Sequence, residues 1–73
     1  QDLQLKEISA AEENYKNTGD ISSLIAFWEE IWANGGLLFN GSKWMFRLPD
    51  LYIMTGDYDN ALNILKKIQL RTS

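Results

Sequence analysis

Apolar residues recur with helical spacing in two separate stretches of this chain, and the same short phrase precedes each. Ile21, Leu24, Ile25, Trp28, Ile31 and Trp32 fall at i, i+3, i+4, i+7, i+10 and i+11, a continuous stripe on a 3.6-residue period. Tyr58, Ala61, Leu62, Leu65 and Ile68 repeat it further on. A weaker stripe leads up to each: Ile8, Ala11 and Tyr15 first, then Met45, Leu48 and Tyr52. Between weak and strong stripe stands Tyr-x-x-Thr-Gly-Asp, at 15–20 and again at 52–57. This spacing predicts four helices, near 3–18, 21–34, 43–55 and 58–70.

The two copies are offset by 37 residues, Gly19 to Gly56. The same offset aligns Tyr15 with Tyr52, Leu24 with Ala61, Trp28 with Leu65 and Ile31 with Ile68, while charged positions drift. A conserved apolar skeleton under drifting polar residues is the mark of a structural repeat. The phrase itself reads as a helix–helix turn. Gly19 and Gly56 can take the left-handed backbone that closes a helix. Asp20 and Asp57 can then accept the free N–H groups of the next helix and sit well at its dipole.

Each unit is therefore an antiparallel helical hairpin. The expected organisation is one all-α domain over 1–73, with unit one at about 3–34, a connection at 35–42 and unit two at about 43–70. In the connection, Asn34-Gly35-Gly36 should end the second helix, Leu37, Leu38 and Phe39 form an apolar plug, and Asn40-Gly41 with Ser42 should turn and cap the third. Pro49 falls inside the third predicted helix, where a proline removes a hydrogen bond. A kink or break is expected there.

Composition narrows the chemistry. The chain has 73 residues, no Cys and no His, which excludes disulfides and Cys/His zinc sites. Nucleophilic catalysis has no evident base to build on, so no enzyme, cofactor or metal is expected. The net charge of −3 is uneven: residues 1–34 carry seven acids and two bases, residues 35–73 five bases and three acids. An acidic chain without a basic stripe is a poor match for a phosphate backbone, so nucleic acid is not expected. No apolar run approaches the roughly 18 residues that span a bilayer. The first residues carry acids where a secretory signal is basic, and the expected location is cytoplasmic.

Residues 42–70, SKWMFRLPDLYIMTGDYDNALNILKKIQL, resemble a tetratricopeptide repeat: Leu48, Tyr52, Gly56, Tyr58, Ala61 and Leu65 stand where that family has its packing residues. Residues 5–33 are a degenerate match that keeps Tyr15, Gly19 and Asp20 but has Leu24 where the family has a small Ala. The period of 37 exceeds the usual 34, and Pro49 replaces a Gly or Ala. The resemblance implies two tandem units of a right-handed α-α superhelix, acting as a scaffold or peptide-binding module.

Other patterns have plainer readings. GGLLFNGSK has the glycines of a phosphate loop but the wrong order after them. The carboxylates of DYDN lack a calcium loop and fit helix capping. Glu12 with Glu13, and Glu29 with Glu30, point about 100° apart and read as solvated faces. Trp28 is on the stripe and reads as core, while Trp32 and Trp44 flank the connection. Lys43 and Arg47, four apart, share one face of the third helix. By the resemblance that helix lines the concave groove, where such a pair helps to hold a peptide's terminal carboxylate; unit one has Ser9 and Glu13 where such members place Lys and Asn. A solvated basic face is the alternative reading. Lys43, Trp44, Arg47 and Asp50 are the candidate partner-binding residues.

The expected function is a protein–protein interaction module. The alternatives are a self-assembling unit or fragment of a longer repeat protein, and a small accessory subunit of an enzyme complex. The final stripe wraps much of its helix in apolar side chains, so a homodimer or docking onto flanking sequence is also expected.

Overall fold

A Gly-Asp pair that ends one helix and begins another forces consecutive helices to double back, and the fold follows from doing so twice. The computed structural model describes residues 2–35 and 43–72, with side chains over 5–35 and 44–70. Helix α1 spans Asp2–Thr18 and α2 spans Ile21–Ala33. A 3-10 turn over Lys43–Phe46 leads into α3, Arg47–Met54, and α4 follows at Tyr58–Thr72. Each helix packs on its neighbour in sequence, and no strand occurs among the described residues. The architecture is all-α, built from two helical hairpins. The connection at 36–42, with the expected Leu37-Leu38-Phe39 plug and the Ser42 cap, lies outside the described residues.

The repeated phrase does its work through one backbone carbonyl, that of Tyr15 or Tyr52. At the first turn Gly19, with φ +73°, donates its N–H to the Tyr15 carbonyl at 2.7 Å. At the second, Gly56 has φ +80°; its N–H reaches Ile53 O at 3.1 Å, and the next N–H, of Asp57, reaches Tyr52 O at 2.8 Å. These are the two left-handed ways of closing a helix, a single bond and a crossed pair. Thr18 and Thr55 each turn a hydroxyl back onto the preceding turn, to Asn14 O at 2.8 Å and to Tyr52 O at 3.0 Å.

The aspartates then differ. Asp20 caps α2 as expected, its carboxylate accepting from the Ser23 N–H at 3.2 Å and the Ser23 hydroxyl at 2.6 Å, and these bonds hold its pKa below the ordinary value. Asp57 instead accepts from the side-chain amide of Asn60 at 2.7 Å, while its backbone carbonyl receives the Ala61 N–H at 3.2 Å.

The third predicted helix is broken just ahead of Pro49 rather than at it. The chain changes from 3-10 to α geometry at Arg47, so Pro49 falls in the first turn of α3, where its missing N–H has no α-helical partner to lose. Its ring is buried instead.

The core is one cluster drawn from all four helices: Ile8 from α1, Leu24, Trp28 and Ile31 from α2, Leu48, Leu51 and Tyr52 from α3, Ala61, Ile64 and Ile68 from α4, with Met45 from the 3-10 turn. The α4 stripe is rotated from its expected position. Ile64 is buried, whereas Tyr58 is 66% and Leu62 52% exposed. The two hairpins thus share a skeleton but not a degree of coverage.

Candidate functional site

An acidic side chain on the buried face of a helix must find donors, and Glu12 supplies the geometry on which the candidate site is built. It follows Ile8 by four residues, so it lies on the face of α1 that Ile8 buries. Arg47 of α3 grips its carboxylate with both ends of the guanidinium, Nε–H to Oε2 at 2.9 Å and Nη2–H to Oε1 at 2.8 Å. The indole Nε1–H of Trp28, from α2, donates to Oε2 at 3.1 Å. Three helices therefore meet at one carboxylate. Fork-on-fork pairing of this kind is the strong form of the Arg–carboxylate bond, and it raises the Arg47 pKa further, mainly through the hydrogen bond to Glu12.

Around this pair α1 and α3 leave an open groove of about 450 Å³, lined by Ser9, Glu12, Glu13, Tyr15 and Lys16 on one side and Trp44 and Arg47 on the other. Trp44 is half-buried, its ring 5.8 Å from that of Trp28 and tilted by 31°. The structure brings Trp44 and Arg47 to the groove together with Ser9 and Glu13. Asp50 does not line it; it is exposed in the first turn of α3, where a carboxylate complements the helix dipole. The side chain of Lys43 lies outside the described residues. Neither Glu12 nor Arg47 is a solvated charge, since their side chains are only 18% and 24% exposed.

A second polar contact also went unread in the sequence. The Tyr52 hydroxyl donates to the Glu29 carboxylate, joining α3 to α2. Glu29 and Tyr52 sit beside Trp32, Leu48, Asn60, Asn63, Ile64 and Lys67 in a smaller groove of about 220 Å³ where the two hairpins meet. The available signal was position: Glu29 follows the half-buried Ile25 by four residues, as Glu12 follows Ile8.

Burial, then the hydrogen bond and charge of Glu29, push the Tyr52 phenol up from its ordinary value of 10.0. The folded state thus holds this proton more tightly than the unfolded state. The associated stability is complete below about pH 10 and is lost as pH rises above it. Urea titrations between pH 9 and 11.5 should show the parent weakening more steeply than Tyr52→Phe; parallel profiles would show that this phenol does not couple to folding.

Among the described residues no three metal-ligating side chains converge, and no helix is long and apolar enough to cross a membrane. No family model, curated protein or solved structure matches the chain.

Proposed function

We propose that this chain is a protein-interaction module of the tetratricopeptide-like kind, holding an extended segment of a protein partner in the groove between α1 and α3. The observation that carries the reading is the make-up of that groove. Trp44 and Tyr15 offer apolar and aromatic surface, while Glu13, Lys16 and the Arg47–Glu12 pair offer charge at its edges. Large amphipathic aromatics beside arginine are the residues on which binding energy concentrates. Arg47 directs Nε–H and one Nη2–H at Glu12, and the guanidinium has five N–H groups in all. A carboxylate of the partner can be met by the remainder. No catalysis is part of this reading; the chain has no His or Cys.

Reversing Arg47 would test the groove poorly, because it would also strip Glu12 of its partner. Ser9→Arg is the cleaner change: Ser9 is exposed on the groove wall, and a long side chain there fills the groove without entering the core. Peptides selected on the parent from a random twelve-residue library should bind Ser9→Arg at least tenfold more weakly, as read by anisotropy, with helicity by circular dichroism unchanged. Selected peptides that bind both proteins equally would place recognition elsewhere, and a library yielding no binder would count against the module itself.

A further inference from the structure

The 37-residue repeat makes the junction between the hairpins a template for a second junction. Hairpin one presents Ile21, Ile25, Trp28 and Trp32 on α2: Trp28 is 1% exposed against Trp44 of hairpin two, Trp32 lines the smaller groove with Leu48 and Ile64, and Ile21 and Ile25 are half-buried. Adding 37 gives Tyr58, Leu62, Leu65 and Gln69 on α4. There Leu65 is half-buried and the rest are exposed. The face that docks a hairpin inside the chain therefore recurs on α4 uncovered.

The complementary face recurs in part. Inside the chain Leu48, Ile64 and Lys67 of hairpin two, with Tyr52, Asn60 and Asn63, form one side of the junction groove that Glu29, Trp32 and Ala33 of α2 close. Subtracting 37 from the first three gives Ala11, Phe27 and Glu30. These line an open groove of about 510 Å³ between α1 and α2, with Glu7, Ala10 and Ile31. Adding 37 to Glu29 and Ala33 gives Lys66 and Leu70, both exposed on α4. Charge follows the same shift with its sign reversed. The internal junction has Glu29 on α2 and Lys67 on α4, whereas the repeated one would set Lys66 of α4 against the acidic rim of Glu7 and Glu30.

We propose that a second copy of this chain docks head to tail, its α1–α2 groove receiving the α4 face of the first. Ala10 and Ala11 let that face approach closely, Leu62 and Leu70 supply apolar contact, and Lys66 against Glu7 and Glu30 fixes the direction. The contact is heterologous, so it does not close on itself as a twofold would and each added copy offers a fresh α4.

Sedimentation equilibrium of the chain from micromolar to millimolar concentration tests this. The average mass should climb past that of a dimer, and the climb should shrink in high salt. Leu62→Glu blocks the α4 face, with Leu70→Glu as a second variant in case the first disturbs packing; Ala10→Arg blocks the groove. Each should be a folded monomer alone. An equimolar mixture of Leu62→Glu and Ala10→Arg retains one intact pair of faces and should form a one-to-one dimer that grows no further. A monomeric parent at every concentration would overturn the proposal. So would self-association of Ala10→Arg alone, which would mean that α4 pairs with α4.

Discussion

Trp28→Ala should remove the cooperative melt altogether. Trp28 is the largest fully buried side chain, packed against Trp44 and within the cluster that all four helices share. Truncating a core tryptophan costs about 3–5 kcal/mol through lost transfer energy and the cavity left behind. A domain of this length has a total stability on the order of 4–11 kcal/mol, and small domains lie at the low end because they bury a smaller share of their surface. The variant also deprives Glu12 of its indole donor. Thermal unfolding followed at 222 nm should lose its sigmoid and become a shallow drift. A sharp transition within a few degrees of the parent would mean that the hairpins do not depend on this contact for docking.

Glu12→Ala comes next in size. It leaves the Arg47 guanidinium without its carboxylate and the Trp28 N–H without its acceptor, at the point where α1, α2 and α3 meet. An unpartnered buried donor costs about 1–3 kcal/mol, and breaking a fully buried ion pair costs more. The pair here is partly open to water, which relieves Arg47 but not the indole. The expected loss is about 2 kcal/mol, or a fall in Tm of roughly 10 °C for a domain this size. A double-mutant cycle with Arg47→Ala separates the two partners: the paired change should cost clearly less than the sum of the single ones. Additive losses would reduce the pair to an incidental surface contact.

The helices and their turns were legible because they rest on short-range physics. Apolar spacing, two left-handed glycines and the residues beside them place four helices within a few residues of the observed ends. Pro49 was legible as an interruption but not in its form. Whether a proline kinks a helix or sits in its first turn depends on where the preceding residues change geometry, and apolar periodicity does not report the switch from 3-10 to α at Arg47.

The candidate site was half legible. Its aromatic and basic residues followed from spacing and from the family resemblance, but the carboxylate that engages Arg47 comes from 35 residues away in sequence. Glu12 beside Glu13 looks like any acidic helix surface until the i+4 relation to Ile8 is weighed. Glu29 is the same case, hidden by Glu30 and answered by a tyrosine that reads as plain core. Pairwise partners between helices are properties of the packed state, and one chain's sequence holds only the requirement that such partners exist.

The contact between Trp28 and Trp44 also has an optical consequence. Indoles 5.8 Å apart, one from each hairpin, lose that proximity when the hairpins separate, even if every helix survives. Tryptophan emission is therefore sensitive to docking, whereas ellipticity at 222 nm counts helical residues wherever they are. The chain carries its own label for telling an undocked pair of hairpins from an unfolded one.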